Sequence, residues 1–255
     1  MGKPKDPASP STSGSAPGTR LGSDPGFHPH IRSFALRGGR ITEAQRRAFD
    51  ELLPIFGIPY AATLLDLPQA FGRDAPTVLE IGCGMGETTM AIAQSRPDVN
   101  FLAVEVLAAG VGALLKGIQK HGLSNVRIVH HDAVEVVRDM IAPDSLTGVH
   151  IYFPDPWPKK RHHKRRLLQQ PFVGLLASRL AWNGYVHFAT DWSDYAQQVL
   201  HVFEMEPQLA NMHAQESPPK NPVCDRPVTK FHARGERLGL STCDLVFVRR
   251  PSARG

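Results

Sequence analysis

The stretch "TVLEIGCGMGETTMAIAQ", Thr77 to Gln94, decides how the rest of the chain is read. The stretch opens with strand-forming apolar residues, Gly82, Gly84 and Gly86 follow at alternate positions, and helix-forming residues close it. That order predicts a buried strand, a glycine turn and a helix. The glycines permit a tight turn and a close approach of backbone to a ligand. Their spacing is G-x-G-x-G, not the G-x-G-x-x-G of dinucleotide folds. Glu80 also stands two residues before the first glycine, where a carboxylate would repel a pyrophosphate. The turn therefore suits a neutral or cationic ligand.

The pattern repeats downstream. "NFLAVEV" precedes a helical segment at Ala108–His121, "NVRIVHHDA" one at Val134–Met140, "GVHIYFPDPW" one at Arg165–Leu180 and "GYVHFATDW" one at Tyr195–Glu204. Five strands alternating with helices predict an α/β fold, a mostly parallel doubly wound sheet with helices on both faces, because each parallel connection needs a crossover. "CDLVFVRR" adds a last strand after a loop-rich stretch from Glu206 to Leu240. Upstream, "TEAQRRAFDELLP" predicts a helix capped by Thr42 and closed at Pro54. Residues 1–30, rich in Pro, Gly and Ser, are expected to be a disordered tail, leaving 31–255 as a single domain with a helical extension at its start.

With 42% hydrophobic residues in 255, the chain can build a real core, and no apolar run approaches a membrane span. Cys83, Cys224 and Cys243 are odd in number and lack C-x-x-C spacing, which argues against a disulfide framework and a structural zinc site. A cytoplasmic location is expected. The paired histidines, His130–His131 and His162–His163, point to opposite faces and have no partners at ligand spacing, so no metal is expected. Net charge is +5, which favours a polyanionic partner, and it is concentrated in "FPDPWPKKRHHKRR", Phe153 to Arg166.

Ligands of doubly wound sheets gather at the carboxyl ends of the strands. Glu105 ends the second strand, where an acid accepts hydrogen bonds from ribose hydroxyls. Asp132, followed by Ala133, ends the third and is placed to receive an adenine amino group. Three acids and a glycine turn together suggest S-adenosylmethionine, whose sulfonium is positive and whose ribose and adenine are neutral. Asp155 sits in a turn stiffened by Pro154 and Pro156. The basic run beyond it fits phosphates. Trp157 either stacks on a base or packs under the loop.

In order and spacing, "VLEIGCGMG", "AVEV", "HDA", "FPDPWPKKRHHKRR", "TDW" and "TKFHARGERLG" resemble the bacterial tRNA (guanine-N7-)-methyltransferase family, over Arg32 to Arg249. The resemblance implies a Rossmann-like class I methyltransferase, S-adenosylmethionine as cofactor, and tRNA as partner, methylated at N7 of guanine 46 in the variable loop. A monomer or homodimer is expected. It further implies that Glu80, Gly82, Gly84, Gly86, Glu105, Asp132, Ala133 and Asp155 hold the cofactor, with Asp155 as the active-site acid. Lys159, Asp191, Thr229, Lys230, Phe231 and His232 would meet the substrate, while Arg161, His162, His163, Lys164, Arg165 and Arg166 would lie along the RNA. His232 stands where the family has glutamate in T-K-F-E, and Glu236 lies one helical turn on.

Guanine N7 carries a lone pair and no proton, so its methylation needs no general base. An acid nearby would stabilise the cationic product ring and select guanine through N1–H and N2–H; Asp155 and Asp191 are the two candidates. An adenine or cytosine amino-methyltransferase would carry adjacent prolines, as in N-P-P-Y or D-P-P-Y, whereas here they flank Asp155. A non-catalytic RNA-binding protein would not need the acids at the strand ends. A nicotinamide dehydrogenase is disfavoured by Glu80.

Overall fold

The computed structural model describes residues 32–34, 40–212 and 242–251. The expected tail and the residues Thr229, Lys230, Phe231, His232 and Glu236 lie outside the described residues. The seven strands are β1 (Thr77–Ile81), β2 (Asn100–Val104), β3 (Val126–Val129), β4 (Leu146–Tyr152), β5 (Leu180–Thr190), β6 (Leu209–Asn211) and β7 (Cys243–Arg249). They form one sheet in the order β3-β2-β1-β4-β5-β7-β6. Strands β1 to β5 run parallel, while β7 lies antiparallel between β5 and β6.

Parallel pairing demands crossovers, and the helices supply them: α3 (Glu87–Ser95), α4 (Ala108–His121), α5 (Ala133–Asp139), α6 (Phe172–Arg179) and α7 (Ser193–Glu204), preceded by α1 (Glu43–Phe56) and α2 (Leu67–Phe71). Side chains alternate across each strand, so the sheet feeds two apolar layers. Leu79 and Ile81 join Val136, Val173 and Val199 from α5, α6 and α7. Val78, Phe101 and Ala103 join Leu52 of α1 with Leu114 and Ile118 of α4. Every residue of β1 and β2 is buried, as expected of a sheet covered on both faces.

Four expectations need correction. Helix α1 passes through Pro54 to Phe56, and the Gly57 N–H closes it on Leu53 O at 2.7 Å. Pro54 costs one backbone bond in the last turn, where its ring is exposed. The connection after it holds α2, capped by the Asp66 carboxylate, which accepts from Gln69 N at 2.9 Å. The helix expected over Arg165–Leu180 starts at Phe172, directly after Pro171; Lys160–Arg165 is a 3-10 turn, and Leu180 already begins β5. Strand β6 falls in the stretch read as loop.

Candidate active site

The sheet order reverses between β1 and β4: from β1 the chain winds outward through β2 and β3, then crosses back to β4. The carboxyl ends of β1 and β4 flank a crevice at that switch point. A cavity of about 320 Å³ opens there, lined by Gly82 after β1, Glu105 to Leu107 after β2, His131 to Ala133 after β3, Phe153 to Asp155 after β4, and Ser33, Phe34 and Leu167. Among the described residues its lining contains three carboxylates, the imidazole of His131 and no Lys or Arg.

The glycine turn is built for this place. Gly82, Gly84 and Gly86 all have positive φ, at 74°, 55° and 77°, which side chains with a Cβ rarely adopt. Glu105, buried at the end of β2, fixes the turn from across the crevice. One of its oxygens accepts from Gly84 N at 2.9 Å, and the other accepts from Val106 N and Leu107 N, each at 2.8 Å. Gly110 lets α4 approach, since a Cβ there would stand 2.5 Å from Gly84 O. Asp132 caps α5 by accepting from Val134 N at 2.9 Å.

Glu80 lies beneath the turn, 3% exposed, and its Oε2 has no hydrogen-bond partner among the described residues. Burial pushes its carboxyl up to about 7; the Thr89 hydroxyl offsets part of the rise and the Glu105 charge adds to it. A buried acid without a full set of donors calls for a cationic or donating ligand.

The acid-bearing turn after β4 is strained at both ends. Phe153 has φ 50° and Trp157 φ 47°, a region costly for bulky residues. Several contacts over-determine it. Phe153 N–H donates to Ala189 O at 2.8 Å, and Trp157 Nε1–H donates to Ser33 O at 2.9 Å. Arg165 lies over the Trp157 ring at 5.0 Å and His162 meets its edge at 6.0 Å. Trp157 therefore packs with the loop. Asp155 is exposed at the mouth of the cavity.

The structure brings Gly82, Glu105, Asp132, Ala133 and Asp155 together around the cavity, whereas Glu80, Gly84 and Gly86, in the same strand and turn as Gly82, do not line it. Lys159 is exposed and Asp191 half-buried, and neither lines the cavity. In the basic run, Arg161, Lys164 and Arg165 are exposed and His162 and His163 half-buried. Arg166 departs from its expected place along RNA. It is 3% exposed and donates to Pro156 O at 2.8 Å, Gln198 Oε1 at 2.6 Å and Asp194 Oδ2 at 2.5 Å, with Tyr195 beneath it at 4.9 Å. Its fork is filled by protein, and it bolts the turn to α7. Sequence reading missed Ser33, Phe34 and Leu167, whose apolar or small side chains carry no chemical signature. No group of three or more His, Cys, Asp or Glu suited to a metal ion occurs among the described residues.

Comparison with known proteins adds a family. Residues 74–245 match the family model described as "Putative methyltransferase". The chain is 62% identical over 220 residues to a tRNA (guanine-N(7)-)-methyltransferase of Bordetella pertussis, covering 86% of this chain and 85% of that protein. Proteins of the same name from Burkholderia vietnamiensis and Thiobacillus denitrificans are 56% and 55% identical, over 89% of this chain and 88% and 99% of theirs.

Proposed function

Since the chain belongs to the tRNA (guanine-N(7)-)-methyltransferase family, we propose that its crevice transfers a methyl group from S-adenosylmethionine to N7 of a guanine in tRNA. The guanine is position 46 of the variable loop. The observation that carries this reading is the crevice: three carboxylates and glycine backbone with no Lys or Arg among its described lining residues, and near it a Glu80 oxygen buried without a hydrogen-bond partner among the described residues. Such a site fits a cation bearing hydroxyls and repels a pyrophosphate.

S-adenosylmethionine, when bound, supplies an electrophilic methyl group on a sulfonium. Glu105 would hold the ribose: its two oxygens offer about four lone-pair sites, and backbone takes three of them. Asp132 and Ala133 would hold the adenine, and Glu80 would offset the positive charge. Asp155 stabilises charge that develops on the guanine ring, with Asp191 and Lys159 on the substrate side. Because N7 has no proton, these residues work by position and charge. Arg161, His162, His163, Lys164 and Arg165 meet phosphates, as do the cations before them. Thr229, Lys230, Phe231 and His232 complete the substrate side by family likeness alone. The reaction belongs in the cytoplasm, where its tRNA is.

Incubation with unmodified tRNA and methyl-labelled S-adenosylmethionine, followed by nucleoside digestion, tests the reading. One 7-methylguanosine per tRNA, mapping to the variable loop, is expected. Label on an exocyclic amino group, or none, would overturn it.

A further inference from the structure

Tyr152, His187 and Asp244 lie outside the cavity, yet they form one hydrogen-bonded chain across β4, β5 and β7. The Tyr152 hydroxyl meets His187 Nδ1 at 3.2 Å, and His187 Nε2 meets Asp244 Oδ1 at 2.8 Å. Tyr152 and His187 are buried, with ring centroids 5.1 Å apart in an edge-to-face contact. His150, itself bonded to Tyr185 OH at 2.9 Å, packs edge-on against His187 with centroids 6.1 Å apart.

The polarity of the chain follows from its ends. A carboxylate only accepts, so Nε2 carries the ring hydrogen. Nδ1 faces the Tyr152 hydroxyl, so the His187 ring is held in one orientation from both sides.

Tyr152 is the last residue of β4, immediately before the strained Phe153. Asp155 follows three residues after Tyr152, and Asp191 four residues after His187. The Tyr152–His187 bond therefore ties two strands together just before each delivers its acid. Strand β7 braces the tie, since Cys243 and Asp244 pair with Thr190 and Ala189 at the end of β5. A strained turn persists only where its surroundings hold it, and this chain of hydrogen bonds begins at the residue immediately before it.

We infer that Tyr152, His187 and Asp244 are positioning residues for methyl transfer, fixing the aim of Asp155 relative to Asp191. The inference rests on the methyltransferase reading above. None of the three touches the cavity, so their removal alters rate and spares binding.

The test uses the full chain and compares wild type, Tyr152→Phe, Asp244→Ala, Asp244→Asn and the Tyr152→Phe/Asp244→Ala double variant. Single-turnover methyl transfer to tRNA gives the rate; calorimetry gives cofactor affinity and filter binding gives tRNA affinity. Tyr152→Phe and Asp244→Ala should each slow transfer about tenfold while both affinities stay within about twofold. Asp244→Asn keeps an acceptor oxygen and should recover most of the rate. The double variant should be no slower than the slower single one, because cutting the chain once is enough. A wild-type rate in Tyr152→Phe, rate losses that multiply in the double variant, or a loss of affinity equal to the loss of rate would overturn the assignment. The methylated nucleoside is identified in the same digests: a base other than guanine would defeat the guanine-N7 reading and leave the rate comparison to judge the chain by itself.

Discussion

Arg166 Nη2 donates to Asp194 Oδ2 at 2.5 Å from a guanidinium that solvent hardly reaches. The same group holds Pro156 O in the acid-bearing turn and Gln198 on α7. The last residue of the basic run is thus a bolt between turn and helix. The Asp194 carboxyl is correspondingly held below the usual carboxylate range by this hydrogen bond.

Arg166→Ala should destabilise the fold by about 1–3 kcal/mol, the scale for leaving charged hydrogen bonds unmade. Asp194 keeps much of its hydration, which limits the loss. Arg166→Lys should not restore stability, since an ammonium cannot span Pro156, Gln198 and Asp194 as a planar fork does. Urea denaturation decides it, and an undiminished midpoint in Arg166→Ala would sink the bolt.

The exposed cations should behave differently. Replacing Lys160, Arg161 and Lys164 by Ala should leave the melting temperature nearly unchanged while weakening tRNA binding. The slope of log affinity against log salt should fall by up to about three units. Binding isotherms at several salt concentrations give the slope, and an unchanged value would make the run a solvated face.

These two predictions separate residues that look alike in sequence, and the reason is general. Local signals set what was legible: the glycine turn, the α4 boundaries at Ala108 and His121, and the acids at strand ends follow from patterns within a few residues. Burial of Arg166 depends on Asp194 and Gln198, about thirty positions away, so nothing in "KKRHHKRR" marks it. Tyr152 and His187 likewise read as ordinary strand residues until β4 and β5 pair and Asp244 arrives from β7. Strand β6 was missed because three residues leave almost no periodicity. Pro54 does not end α1, because one lost bond near a helix end is tolerated where the ring faces water.

Glu80 makes stability depend on pH in a defined direction. Its carboxyl rises from 4.5 unfolded to about 7 folded, so the folded state holds the proton more tightly. Stability of the cofactor-free protein should therefore fall as pH rises from about 4.5 to 7 and level off above that, by about 3 kcal/mol from this group. Glu80→Gln should lose that part of the slope. A cationic ligand favours the ionised carboxylate, so cofactor affinity in wild type should rise between pH 6 and 8 and stay flat in the variant. Calorimetric titrations at those two pH values measure it; parallel profiles would show that Glu80 does not titrate there.

Glu105 holds the turn and, in the proposed function, the ligand as well. Glu105→Ala strands the N–H groups of Gly84, Val106 and Leu107, so cofactor affinity should drop by roughly 1–3 kcal/mol and the melting temperature should fall with it. Glu105→Gln retains one acceptor oxygen and should recover part of both. Unaltered affinity in a folded Glu105→Ala protein would remove Glu105 from the cofactor site.

Asp155 carries the proposed chemistry, and its role divides cleanly from that of a base. Guanine N7 has no proton to surrender, so a carboxylate beside the ring contributes charge and placement. Pro154 and Pro156 restrict the backbone on either side, and Phe153, Trp157 and Arg166 hold the turn from within. Asp155→Asn should preserve the fold and much of the tRNA affinity while slowing single-turnover methyl transfer on the order of a hundredfold, the scale for losing one preorganised electrostatic contact. The loss should be the same at every pH well above the carboxylate range, because no proton transfer limits the step. Rescue by higher pH or by small exogenous bases would mean that Asp155 abstracts a proton. An unchanged rate would move the charge-stabilising role to Asp191, at the end of the neighbouring strand.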